Sequence, residues 1–126
     1  MSPDDRKYTE EHEWVMIDDS DDGTAVAGIT EYAQDQLGDI VFFELPKIGD
    51  SVAHLGKMGE VESVKAVSEL FCPVTGKIIA VNADLNDHPE LVNSTPHETW
   101  MLRLSLADPS QVDSLLDAAS YGSSID

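Results

Sequence analysis

The sequence predicts a mainly β domain, a small sandwich or barrel with a few peripheral helices. Three observations carry this expectation. Short runs rich in Val and Ile recur along the chain, each bounded by Gly, Pro or Asp, which is the pattern of short strands. Helix-start signals ahead of an apolar stripe are few. Finally, Pro46-x-x-Gly49 followed by Val52 recurs as Pro73-x-x-Gly76 followed by Ile79. With a strand on either side of each turn, this faint repeat suggests two similar halves facing each other.

In order, residues 1–7 form a polar, loose lead. Glu13 to Ile17 and Thr24 to Ile29 are strands, joined by a turn at Ser20-Asp21-Asp22-Gly23, where Gly tolerates positive φ and Asp bonds its own backbone. Thr30 caps a short helix through Leu37 that stops at Gly38. Ile40 to Leu45 is a strongly apolar strand ended by Pro46. Ser51 to Leu55 and Lys57 to Val64 continue as strands with a bend at Gly56. Ala66 to Phe71 and Lys77 to Asn82 follow. Asp84 to His88 reads as a loop, and Pro89 to Val92 as one helical turn. Thr99 to Ser105 is the last strand, with Trp100, Leu102 and Leu104 on one face and Met101 and Arg103 on the other. Asp108-Pro109-Ser110-Gln111 starts a helix whose stripe is Val112, Leu115, Leu116 and Ala119. Residues 120–126 form a second loose tail.

A chain of 126 residues is one domain with a modest core. No apolar run reaches membrane-spanning length. The acidic start, Met1-Ser2-Pro3-Asp4-Asp5, resembles neither a signal nor a transit peptide. One cysteine, Cys72, excludes an internal disulfide framework; between Phe71 and Pro73 it reads as a small strand residue. The cytoplasm is the expected compartment. The net charge of −18, from 25 acids and 7 bases, repels nucleic acid and anionic lipid and argues for a monomer. It fits a high-salt host. Under that reading self-repulsion destabilises the fold at low ionic strength, so the melting temperature should rise with added salt. A flat melting curve from low to molar salt would remove the halophilic reading.

The histidines His12, His54, His88 and His97 have no ligand spacing, so no metal site is expected. There is no phosphate loop and no serine in a G-x-S-x-G elbow. What remains is Lys65. The apolar phase breaks at Val64-Lys65-Ala66, as a tight turn between two strands would make it, although the turn lacks Asn-Gly or Asp-Gly. At a hairpin tip Lys65 would be reachable by another protein; composition alone makes it one more solvated lysine. A Schiff-base nucleophile needs desolvation or a nearby cation, and the charged residues close in sequence are instead Glu62 and Glu69. An independent enzyme is not expected.

Glu62-Ser63-Val64-Lys65-Ala66 followed by Pro73-Val74-Thr75-Gly76 resembles the lipoyl-attachment segment of the glycine cleavage system H protein family. Three more segments match that family in order: Tyr8 to Trp14, Gly28-Ile29-Thr30 with Ala33-Gln34 and Leu37-Gly38, and Val41 to Pro46. The resemblance implies a lipoyl/biotinyl-type flattened barrel-sandwich hybrid of two antiparallel sheets, with the lysine on a β-hairpin tip. It implies lipoate joined covalently to Lys65, and a non-catalytic shuttle for the aminomethyl group. The partners implied are a pyridoxal-phosphate glycine decarboxylase, a tetrahydrofolate-dependent aminomethyltransferase and dihydrolipoamide dehydrogenase. A lipoate ligase, or an octanoyl or lipoyl transferase, would attach the group, with Glu62 and Gly76 aiding recognition. Glu13, with its neighbour His12, and Glu69 would line a cleft for the loaded arm. The chain departs from the family at Glu11, at Phe71-Cys72 and in a shortened loop over residues 96–100. Two alternatives to the shuttle are an H-like relay that donates lipoate to 2-oxoacid dehydrogenases, and an unmodified docking module.

Overall fold

A computed structural model describes residues 3–18 and 23–125. The strands form where β-branched residues alternate and stop where Gly, Pro or a buried turn interrupts them. They are β1 (Lys7–Tyr8), β2 (Glu13–Ile17), β3 (Thr24–Ile29), β4 (Ile40–Glu44), β5 (Ser51–Val52), β6 (Lys57–Ser63), β7 (Val67–Phe71), β8 (Gly76–Val81) and β9 (Leu102–Leu106). Among the described residues, five short helices accompany them: α1 (Glu31–Leu37), α2 (Asp84–Asp87), α3 (Leu91–Ser94), α4 (Ser110–Asp113) and α5 (Ala118–Ile125).

The strands make two antiparallel sheets, ordered β1-β2-β3-β9-β8-β5 and β4-β6-β7, and neither closes into a barrel. The main core lies between them. Val15, Ala27, Ile78, Leu102 and Leu104 come from the larger sheet, and Ile40, Phe43, Val61 and Leu70 from the smaller. Alternation sends Val15 into this core and its neighbour Trp14 to the other face, where a second cluster joins Trp14 to Tyr8 and Tyr121. The faint repeat has a structural counterpart. Its first strands, β4 and β7, flank β6 in the small sheet, and its second strands, β5 and β8, pair in the large one. The two glycines serve different ends. Gly49 turns the chain at φ 100°, whereas a Cβ on Gly76 would sit 2.5 Å from the Ser105 carbonyl oxygen across the β8–β9 ladder.

Several expectations need correction. Strand β5 ends at Val52 because residues 53–56 turn, with Gly56 N–H on Ala53 O (2.8 Å) and Leu55 at φ 61°. Residues 84–87, expected as loop, form α2, where Asn82 Oδ1 accepts from Asp84 N and Leu85 is buried. The turn expected at Pro89–Val92 is α3, shifted to Leu91–Ser94. The last strand starts at Leu102, so Met101 precedes the alternation and is buried. The helix from Asp108 splits in two. Leu116 exchanges backbone hydrogen bonds with Tyr8 (2.8 and 2.9 Å), and this pairing forces extended backbone into the middle of the expected stripe. The second piece, α5, occupies most of what was expected as a loose tail and buries Tyr121. In the lead, Arg6 stacks over Trp14 at 4.5 Å and donates to the His97 carbonyl, and Lys7 enters β1. The turn at residues 20–22 lies outside the described residues, as do 1, 2 and 126; Gly23, its last member, has φ 85°. Among the described residues no helix is long and apolar enough to cross a membrane.

Candidate functional site

The β6–β7 hairpin ends at Val64-Lys65, where both residues are exposed. No left-handed residue is needed, because Ser63 builds the turn with its side chain. Its hydroxyl accepts from Ala66 N (3.2 Å) and Lys65 N (3.4 Å), while Ser63 N donates to Ala66 O (2.8 Å). This is how a serine closes a tip that lacks Asn-Gly. The tip is also tied sideways, through Val64 N–H on the Asp39 carbonyl at 2.9 Å.

Asp39 follows the end of α1, and that end is firmly held. Thr30 caps the helix by accepting from Ala33 N at 3.2 Å. Gly38 ends it at φ 79° with its N–H on Gln34 O. Asn93 from α3 then stitches the following turn: its amide donates to Gly38 O and Gln34 Oε1 (both 2.9 Å), and its oxygen accepts from Ile40 N (2.8 Å). The Lys65 side chain lies along this segment. A Cβ on Gly38 would come within 3.5 Å of Lys65 Cε and 4.0 Å of Nζ. A larger residue at position 38 would therefore meet the lysine stem as well as backbone strain.

Beside that segment lies a cleft of about 200 Å³, bounded by the free edge of β7, the start of β2 and one side of α1. Its apolar wall includes Ile29, Ala33, Leu37 and Leu70; its acids are Glu11, Glu13 and Glu69. From Lys65 to Ser68, the first cleft residue on β7, is about 10 Å along the chain at strand rise. The structure thus brings His12, Glu13 and Glu69 together in one cleft and mounts Lys65 beside it. Glu62 is exposed on the outer face of the small sheet, in one row with Phe42 and Val67. A bulge at Ile40/Phe42 leaves both Val41 and Phe42 exposed, and Val64 and Val67 on either side of Lys65 in the chain are exposed as well. Gly76 is not brought to Lys65. It is buried at the opposite end of the hairpin, where packing against Ser105 accounts for the absent side chain.

Glu13 differs from the other acids. It is 2% exposed, accepts from Thr9 Oγ1 at 2.8 Å and is hydrogen-bonded by the Phe71 backbone. That contact links the large sheet to the edge of the small one. Burial pushes its carboxyl up to about 8, against the opposing pull of those hydrogen bonds. His12, just before it, has φ 71°, a conformation that costs a non-glycine residue roughly 1–2 kcal/mol. Its ring lies between Tyr32 (4.6 Å) and Tyr121, whose hydroxyl is 2.9 Å from Nδ1. Burial lowers the His12 pKa, which favours the neutral ring, and in its Nε2–H tautomer Nδ1 can accept from that hydroxyl.

Sequence reasoning missed several contributors here. Thr9, Asn93 and Tyr121 act through contacts 4 to 109 positions apart in the chain and have no role of their own in the sequence pattern; Gly38 reads there as the helix stop, but its approach to the Lys65 stem is set by the fold. The shortened loop at residues 96–100 adds nothing to the cleft. It packs on Trp14, whose Nε1 donates to Pro96 O at 3.1 Å. Cys72 is buried, its thiol donates to Val74 O at 3.0 Å, and burial raises its pKa to about 11, so it is inert. The larger groove over β1 and β2, about 610 Å³, is lined by Arg6 and Arg103, but each already pairs with an aspartate, Asp5 and Asp18.

Residues 6–126 match the family model described as Glycine cleavage H-protein. The chain belongs to the glycine cleavage H-protein family. The glycine cleavage system H protein of Listeria welshimeri serovar 6b is 51% identical over 98% of both chains. That of Symbiobacterium thermophilum is 48% identical over 94% of this chain and 91% of its own. The crystal structure of a glycine cleavage system H protein from Mycobacterium marinum superposes with a TM-score of 0.87 at 37% identity, covering 97% of each chain. The two-sheet fold described above is therefore the fold of an H protein.

Proposed function

We propose that this chain is the lipoyl-carrying shuttle of a glycine cleavage system, with the lipoyl group amide-linked to Lys65. One observation carries the reading: an exposed lysine stands on a braced hairpin tip, and beside it an H-protein family chain keeps a cleft with apolar walls and buried acid. The residues fit the group. Lys65 Nζ is accessible for acylation, Leu37, Ala33 and Ile29 match an aliphatic arm, and Glu13 and Glu69 match an ammonium at its end. When attached, the lipoyl group supplies a disulfide that can open to accept a one-carbon amine, pass it on and close again by oxidation.

The chain's own part is placement. Ser63 and the Val64–Asp39 bond fix where the arm begins. The apolar wall excludes water from the arm's far end. Glu13 and Glu69 hold a cation there; Glu13, protonated at neutral pH in its dry site, ionises as the cation arrives, and its charge is then worth most. Membership of the glycine cleavage H-protein family supports a carrier that depends on partner enzymes. By the same reading these are glycine decarboxylase, an aminomethyltransferase and dihydrolipoamide dehydrogenase. Lipoylation is done by a ligase or an octanoyl or lipoyl transferase that docks beside Glu62. The net charge of −18 and the absence of any need for a second copy in the cleft suit a monomer in the cytoplasm.

The test is the intact mass of the protein purified from its own host under lipoate-replete growth, followed by peptide mapping. One added lipoyl amide on Lys65 is expected. An unmodified Lys65 overturns the reading and leaves a docking module.

A further inference from the structure

We propose that Tyr121, in the C-terminal helix and outside the cleft, is the positioning residue that sets Glu13 in place by holding His12 in the left-handed conformation. The inference rests on the reading that this cleft receives the Lys65 arm, and it names what keeps the cleft's buried acid in register.

The Tyr121 ring is fully buried and stacks on Tyr8 at 4.8 Å with an 11° interplanar angle. Two contacts of its hydroxyl have nothing to do with that packing. One is His12 Nδ1 at 2.9 Å, the other Thr30 Oγ1 at 2.7 Å. His12 immediately precedes Glu13 on one wall of the cleft. Thr30 caps α1, which supplies the opposite wall. A single hydroxyl therefore spans both walls from behind. One polarity satisfies all three groups: the Thr30 hydroxyl, already accepting from Ala33 N, can donate to the Tyr121 oxygen while Tyr121 donates to His12 Nδ1.

The backbone gives that hydroxyl its task. His12 sits at φ 71° with its carbonyl accepting from Thr30 N at 3.0 Å. A non-glycine residue persists in this region only when its surroundings enforce it. Only two described non-glycine residues have positive φ, and the other, Leu55, is remote in sequence. Relaxing His12 toward negative φ would rotate the Glu13 peptide and loosen the carboxyl from Thr9 and Phe71. Water would then reach it. The titratable groups around Glu13 are Glu11, His12 and Glu69 in the cleft, with Cys72 and Tyr121 behind it. Replacing the Tyr121 hydroxyl by hydrogen changes the charge of none of them at neutral pH.

The test is the Glu13 carboxyl titration, followed by carboxyl-carbon NMR on the full unmodified chain. In the parent the midpoint is expected near 8. Tyr121→Phe keeps the stack on Tyr8 and loses both hydrogen bonds; its midpoint is expected to fall by about one unit or more as the carboxyl hydrates. Adding His12→Gly to that variant should restore the parent midpoint, because glycine adopts φ 71° unaided. A structural loss elsewhere would not be rescued this way. An unmoved midpoint in Tyr121→Phe overturns the proposal, as does a fall that His12→Gly fails to reverse. Should Tyr121→Phe not fold, single changes decide: His12→Leu must lower the midpoint and His12→Gly must not. The titration needs no lipoyl group, so an unmodified Lys65 would remove the carrier reading and leave this result standing.

Discussion

Lys65→Arg is expected to abolish carrier activity while leaving the fold intact. The guanidinium keeps the stem and charge but stays protonated and cannot be acylated at neutral pH. The lysine is exposed, so the stability change should stay within about 0.5 kcal/mol. Protein from its own host should then lack any lipoyl mass. Glycine-dependent turnover, reconstituted with the three partner enzymes, should drop to the level seen without this protein. Equal turnover for parent and variant would mean that the lysine is not the carrier and that the surface acts only by docking.

Glu13→Gln should change how stability responds to pH. The folded-state carboxyl titrates at about 8, against 4.5 for an ordinary glutamate. Between those values the folded protein binds a proton that the unfolded chain has released. The contribution of Glu13 is therefore fully present below pH 4.5 and is lost as pH rises toward 8, at up to about 1.4 kcal/mol per unit. Glutamine keeps an acceptor for Thr9 and removes the titration. Urea denaturation of both proteins at pH 5, 6, 7 and 8 should show the parent losing a few kcal/mol relative to the variant. Parallel curves would place the carboxyl in contact with solvent. The same linkage bears on cargo: a cation entering the cleft favours the ionised carboxylate, so its binding to the parent should release protons near pH 7 and strengthen toward pH 9. In the variant it should do neither.

The sequence showed what depends on local pattern. Strands β2, β3, β4, β6, β7 and β8 follow from β-branched runs between Gly and Pro, and the apolar phase break at Lys65 marked the hairpin tip. The family-derived pairing of Glu13 with Glu69 in one cleft also has a geometric counterpart. What stayed hidden was set at long range. The apolar stripe from Val112 to Ala119 reads as one helix, but Leu116 is recruited by Tyr8 as a strand partner and the helix breaks there. Tyr121 sits in a polar, Ser-rich stretch that looks like tail, and it is ordered by partners distant in sequence: its stack on Tyr8 and its hydroxyl's contacts with His12 and Thr30. Glu13 is one of 25 acids; its burial comes from α1 and β7 closing over it. The turn at Ser63 lacks the usual residues because a hydroxyl substitutes for left-handed backbone.

The place of β9 in the large sheet has a consequence for how the chain is made. It lies between β3 and β8, so it joins a strand from the first quarter of the sequence to one from the middle, and it is itself the last strand to be synthesised. Until residue 106 has left the ribosome, the sheet exists as two separate pieces, each with an unsatisfied edge. Completion of the fold therefore waits on a long-range pairing, which is slow. During that wait the nascent chain is exposed to edge-to-edge association with its neighbours. Mutual repulsion among chains carrying eighteen excess negative charges guards against it.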